Sequence, residues 1–161
     1  DPSGGSDEIG IVGAALGTDG HAYVFADRSG EGSPNAWGNR VVQLYQNAEG
    51  DRVVGERNFG GDMVENVVRN VEGGDAVSYK DVTASRGKQQ RAEPVASLYE
   101  QGRVHHVGTL PNLEDEMTTW DPEQSDWSPN RLDALVWALT ELMMGKGEAS
   151  LSYVSVDQLF G

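Results

Sequence analysis

Apolar positions along the chain follow two rhythms. Residues 9–16 form an almost unbroken apolar run of strand length. Gly17-Thr18-Asp19-Gly20 is a turn and 21–27 continues as a second strand, so 9–27 reads as a hairpin. Ser33-Pro34 then opens a helix with Trp37, Val41, Leu44 and Tyr45 on one face and an end near Gly50. Residues 52–58 make a short strand carrying Glu56. After Gly60-Gly61, Met63, Val64, Val67, Val68 and Val71 mark the buried face of another helix. Residues 76–84 return to strand. Arg86-Gly87-Lys88-Gln89-Gln90-Arg91 leads into a helix carrying Val95, Leu98 and Tyr99, with Pro94 expected in its first turn. A short strand at 103–108 and a short helix at 113–120 follow.

The run Ser128-Pro129-Asn130-Arg131-Leu132-Asp133-Ala134-Leu135-Val136-Trp137-Ala138-Leu139-Thr140 is the clearest helix. Ser128 suits the N-cap and Pro129 the first helical position, where a missing N–H costs nothing. Leu132, Leu135, Val136, Leu139 and Met143 recur as one apolar stripe. Asp133 borders that stripe one turn in, where the backbone dipole favours negative charge. Such a carboxylate is either a capping accessory or a metal ligand. The tail, 145–161, matches no motif and carries a candidate strand at 151–156.

The order is hairpin, helix, strand, helix, strand, helix, hairpin, helix, which predicts a mixed α/β layer fold with helices on both sheet faces. Residues 1–8 form a Gly-rich loop shaped like the exit of a strand, yet no strand precedes it. Either that strand lies upstream in a longer parent chain or the loop is an ordinary terminus.

The 161 residues suit one domain around a single core. Cysteine is absent, which excludes a disulfide framework, a thiolate zinc site and a cysteine nucleophile. Nothing resembles a signal peptide, and no apolar run approaches the about 18 residues that span a bilayer. The expectation is therefore a soluble, intracellular domain without membrane partners. A net charge of -14, from 26 acidic and 12 basic residues, argues against indiscriminate nucleic-acid binding. Residues 80–106 run the other way: Lys80, Arg86, Lys88, Arg91 and Arg103 face only Asp81, Glu93 and Glu100 in sequence. That segment is either a solvated face or a patch able to grip phosphates.

Three acids stand where structural economy would not put them: Asp1 at the head of the Gly-rich loop, Glu56 in a strand beside Val53 and Val54, and Asp133. Strand ends and helix starts around one sheet can converge. Convergent carboxylates without thiols or paired histidines are hard oxygen ligands suited to Mg²⁺ or Mn²⁺. Two such ions about 3.5–4 Å apart would clamp the attacking and leaving oxygens of a phosphodiester. Asp7 offers a fourth oxygen donor. Taken singly, each acid has an ordinary explanation: a turn residue, a partner for Arg57 or Arg86, a helix-dipole accessory.

The wording of the motifs separates these readings. Asp1-Pro2-Ser3-Gly4-Gly5-Ser6-Asp7, Gly55-Glu56-Arg57-Asn58-Phe59-Gly60-Gly61-Asp62-Met63, Ser85-Arg86-Gly87-Lys88 with Arg91-Ala92-Glu93-Pro94, Tyr99-Glu100-Gln101-Gly102-Arg103-Val104 and Ser128 to Val136 stand out. Together they resemble the C-terminal nuclease domain of the large terminase subunit, the DNA-packaging motor of tailed double-stranded DNA bacteriophages. The likeness covers residues 1 to about 144, which would be the domain, with 145–161 as a tail.

The resemblance implies an RNase H-like fold, a central mixed β-sheet flanked by helices on both faces, whose first strand lies just before Asp1. It implies a metal-dependent endonuclease that cuts concatemeric viral DNA without a covalent enzyme intermediate, using two Mg²⁺ or Mn²⁺ ions. The family's three metal-binding acids map onto Asp1, Glu56 and Asp133, and an accessory acid onto Asp7. Arg86, Lys88 and Arg91 fall on a segment that lies near DNA in such domains. Arg103, His105 and Arg131 are further candidates for the DNA face; His105 and His106 either line the groove as phosphate donors or sit idle on a hairpin, the second being the ordinary reading. Trp37, Trp120, Trp127 and Trp137 read as packing residues. Implied partners are double-stranded DNA, an ATPase domain in the parent chain, the portal protein and the small terminase subunit. The implied place is the host cytoplasm, transiently on the procapsid and not in the virion. No Gly-x-x-x-x-Gly-Lys-Ser/Thr loop occurs, so this chain is not the ATPase itself. A docking module with a weak site, and another RNase H-like nuclease such as a resolvase or hybrid cutter, remain open alternatives.

Overall fold

Strands buried along nearly their whole length make the centre of the sheet. In the computed structural model, which describes residues 8–57, 63–144 and 151–157, these are β1 (Gly10–Leu16) and β6 (Ser152–Asp157). Their runs of small and β-branched residues suit a strand covered on both faces. β2 (Ala22–Asp27) pairs antiparallel with β1 and completes the hairpin expected over 9–27. β3 (Arg52–Glu56), β4 (Tyr79–Val82) and β5 (Val104–His106) complete a six-stranded mixed sheet in the order β4-β3-β6-β1-β2-β5. β6 runs antiparallel to β1 and parallel to β3.

One sequence expectation changes here. Residues 103–108 supply one strand, not a hairpin, and it extends the sheet edge parallel to β2. β1 is hydrogen-bonded on both edges, by β2 and β6. The strand at 151–156 sits at the middle of the sheet.

Helices α1 (Pro34–Asn47) and α2 (Met63–Arg69) cover one face. Trp37, Val41, Val64 and Val68 pack there on Ile11, Val53, Val154 and Val156. Ser33 caps α1 as expected, its Oγ accepting the Ala36 N–H at 3.2 Å, with Pro34 in the first turn. Helices α3 (Lys88–Glu100), α4 (Pro111–Thr119) and α5 (Asn130–Met143) cover the other face, over Val12, Ala14, Val24, Val54 and Tyr153. α3 begins at Lys88, so Pro94 lies inside the helix and not in its first turn. Pro94 and Gln90 are both exposed, so water can satisfy the carbonyl that proline leaves without a donor.

α5 also departs from the local reading. Its N-cap residue is Pro129, with no side-chain cap, and Ser128 lies one step outside. The free N–H groups of Arg131 and Leu132 instead donate to Glu116 Oε1 of α4, at 3.1 and 3.2 Å. Gly10 lets this first turn come against the sheet: a Cβ there would stand 2.1 Å from the Asn130 carbonyl oxygen.

Candidate active site

Strand register gathers the acids. Gly55 of β3 lies beside Val156 of β6, so the next residues, Glu56 and Asp157, leave adjacent parallel strands side by side. Val53, Val154 and Val156 face α1 and α2, whereas Val54 and Tyr153 face the α3–α5 side. Alternation therefore turns Glu56 and Asp157 toward α5. From α5, whose first turn rests on Gly10, Asp133 points back into the same space. Gly10 is itself the register partner of Asp157.

Basic side chains of α3 enter this cluster. Lys88 Nζ lies 2.6 Å from Asp133 Oδ2 and donates to Ser128 Oγ at 3.1 Å. Arg91 Nη1 lies 3.5 Å from Glu56 Oε1, and its guanidinium sits 5.0 Å over the Trp137 ring. Trp137 Nε1 donates to Glu56 Oε1 at 2.6 Å. Trp137 is a packing residue as expected, and it also orients Glu56, a role no sequence pattern signals.

Burial sets the electrostatics. It raises the Asp133 carboxyl above its ordinary value, against the opposing pull of Lys88 and Arg91. It raises Asp157 much further, and the charges of Asp133 and Glu56 push in the same direction. Asp157 is 1 % exposed, and among the described residues neither of its carboxylate oxygens has a hydrogen-bond partner. The donors present are oxygens, with no thiolate, which fits a hard divalent cation. The positive charge among them comes from Lys88 and Arg91. Among the described residues no three acidic or imidazole groups converge on one ion-sized point.

The other sequence candidates scatter. Asp1 and Asp7 lie outside the described residues. Arg86 is exposed beside Thr83, Ser85, Gln90 and Pro94 in a shallow cleft that reaches Arg91 and Trp137. Arg131 is not a free DNA contact: Glu8, Glu116 and Asp27 hold it at 2.6, 3.0 and 3.3 Å. These pairings hold it below the surface, with 12 % of its side chain exposed. Arg103 and His105 belong to the far edge of the sheet, with β6, β1 and β2 between β5 and Glu56. Arg103 reaches the Gly20 carbonyl at 3.4 Å, and His105 Nε2 lies 2.8 Å from His21 Nδ1. His106 is not idle: it bridges the Tyr99 hydroxyl and Glu114 at 2.7 and 2.8 Å. Asp157 escaped the sequence reading; its signal is an acid closing an apolar strand in a tail without motifs.

A mixed six-stranded sheet covered by helices on both faces, with carboxylates at two adjacent strand ends and in the first turn of a covering helix, defines an RNase H-like α/β domain. The family model of the terminase RNaseH-like domain matches residues 1–142. The chain belongs to that family, as a C-terminal nuclease domain of a large terminase subunit. No curated protein matches the chain. Membership carries a nuclease-type role in a terminase, a fold whose nucleases generally use divalent metals, and partners that include DNA and the packaging motor. Among the described residues no helix is long and apolar enough to cross a membrane. The matched span holds Asp1, Glu56 and Asp133 and ends before Asp157.

Proposed function

We propose that the domain is a divalent-cation-dependent endonuclease that hydrolyses phosphodiester bonds of concatemeric double-stranded DNA during genome packaging, with low sequence specificity. The observation that carries this reading is the approach of Glu56 of β3 to Asp133 of α5, near enough for the charge of one to act on the other, each held against a basic side chain of α3. Asp1, Glu56 and Asp133 are the proposed ligands of two Mg²⁺ or Mn²⁺ ions, with Asp7 as an accessory. Such ions supply water activation and stabilise the leaving oxygen.

The chain's own groups do the positioning. Trp137 holds Glu56 Oε1 in one orientation through its 2.6 Å hydrogen bond. Lys88 and Arg91 neutralise Asp133 and Glu56, and Arg91 lines one cleft with Arg86. When a DNA phosphate enters, these cations exchange carboxylate for phosphate as partner, and Arg86 adds a contact at the rim. Contacts of this kind fix the duplex without reading its sequence. With a net charge of -14, binding by the domain alone is weak and falls with salt. The parent ATPase domain, the portal protein and the small terminase subunit are the proposed partners, on a procapsid in the host cytoplasm.

The existing ion pairs of Lys88 and Arg91 also favour a second reading, a docking module whose cleavage is weak until partners present DNA. Plasmid cleavage at low salt with EDTA, Mg²⁺ or Mn²⁺, beside Asp133→Asn, tests the first. Metal-dependent nicking and linearisation, lost in the variant, is the expected result. No cleavage by a folded sample with either metal would overturn it and leave docking as the role.

A further inference from the structure

We propose that the cleft beside Arg86 is a subsite for a DNA phosphate other than the scissile one, held by Arg86 together with uncharged donors of Thr83, Ser85, Gln90 and Thr140. The inference rests on the reading that Glu56 and Asp133 face duplex DNA, and it gives a role to four polar residues which that reading leaves idle. Three observations carry it. The first is the chemistry of the walls. The cleft encloses about 220 Å³ and is lined by two arginines, three hydroxyls and one amide. No carboxylate lines it, on a chain with 26 acidic residues. Such a set of donors suits an anion with several acceptor oxygens, which is what a phosphodiester presents.

The second is that Arg86 differs from the bases around it. Lys80, Lys88 and Arg91 each face a carboxylate, at 2.6, 2.6 and 3.5 Å. Arg86 is exposed, and among the described residues its guanidinium pairs with no acid. Thr83, Ser85 and Gln90 are exposed beside it, so their donors can exchange water for phosphate oxygens.

The third is position. Arg91 and Trp137, which both reach Glu56 Oε1, also line the cleft and so join it to the acids. Asp133, Trp137 and Thr140 follow at i, i+4 and i+7 on one side of α5. At about 1.5 Å per residue, Thr140 lies roughly 10 Å along the helix axis from Asp133. Phosphates recur about every 3.4 Å of duplex axis on each strand, so one duplex spans both points. A duplex held at the cleft cannot slide past the acids, which sets its position without reading bases.

Binding of a fluorescein-labelled duplex oligonucleotide to the full chain, read by anisotropy in EDTA across a salt series, tests this beside plasmid cleavage. Arg86→Gln is expected to weaken binding about tenfold and to lower the salt slope by about one, as loss of one phosphate contact by a cation requires. The double variant Gln90→Ala, Thr140→Val is expected to weaken binding about tenfold with an unchanged salt slope, because neither side chain carries charge. A structural defect would not separate affinity from slope in this way. If Thr140→Val lowers the melting temperature, Gln90→Ala alone, on an exposed side chain, replaces the double variant. Wild-type affinity in the uncharged variants would overturn the subsite, even if Arg86→Gln binds less, since Arg86 would then act as a charge at a distance. That result leaves the nuclease reading intact wherever wild type still cleaves with Mn²⁺. A wild type that binds no duplex at low salt would overturn the DNA reading and the subsite together.

Discussion

Gly10→Ala tests whether α5 really rests on the sheet where Asp133 is positioned. A Cβ at Gly10 would stand 2.1 Å from the Asn130 carbonyl oxygen, 2.6 Å from its carbon and 3.2 Å from the Arg131 nitrogen. All three are backbone atoms, so no side chain can swing away, and relief requires α5 to move by more than about 1 Å to reach ordinary contact. Were the site open, the change would stabilise by about 0.4–1 kcal/mol, through the less flexible unfolded chain. Overpacking against rigid backbone instead costs about 1–3 kcal/mol, so a net loss near 2 kcal/mol is expected. At about 2–4 °C per kcal/mol for a domain of this size, the melting temperature falls by about 4–8 °C. Asp133 rides on the displaced turn, and a misplacement of about 1 Å is expected to lower cleavage on the order of 100-fold. Urea unfolding, melting and plasmid cleavage read the three effects. Gly87→Ala is the control: nothing lies within 4 Å of its Cβ position, so it should lose no more than about 1 kcal/mol, from the poorer N-cap that alanine makes for α3. A Gly10→Ala chain as stable as wild type would refute the reasoning.

Other consequences are independent of the nuclease reading. Arg131→Ala leaves Glu8, Asp27 and Glu116 without their shared cation and should cost about 3–5 kcal/mol, read as a lower urea midpoint at neutral pH; an unchanged midpoint would show that the cluster contributes nothing. Glu114 accepts from His106, which holds its carboxyl below the ordinary value. A lowered folded value means the stabilisation is present above the ordinary carboxylate range and fades as pH falls through the depressed one. The midpoint gap between wild type and Glu114→Gln should accordingly be open at pH 6 and close on acidification; a gap that widens in acid would contradict the assignment.

Local chemistry made much of this domain legible. The apolar run before Gly17-Thr18-Asp19-Gly20, the Ser33-Pro34 helix start and the 3.6-residue stripe of α5 depend on near neighbours, and each element formed. Glu56 and Asp133 stood out because a carboxylate inside an apolar pattern is costly without a purpose. Asp1 and Asp7 lie outside the described residues.

What the tertiary structure decided is everything that depends on residues far apart in sequence. Glu116 of α4, not the adjacent Ser128, satisfies the first N–H groups of α5, because only folding brings that carboxylate to the helix end. Arg131, a candidate for the DNA face in sequence, is the hub of three carboxylates in the fold. Lys88 and Arg91, basic residues on an otherwise acidic chain, turned inward to the acids. The tail strand took a central place, since β6 pairs with β1 and β3 at once, and so carried Asp157 into the cluster. Periodicity and capping are written over a few residues and can be read from sequence; strand order and charge pairing are settled when distant segments share one core.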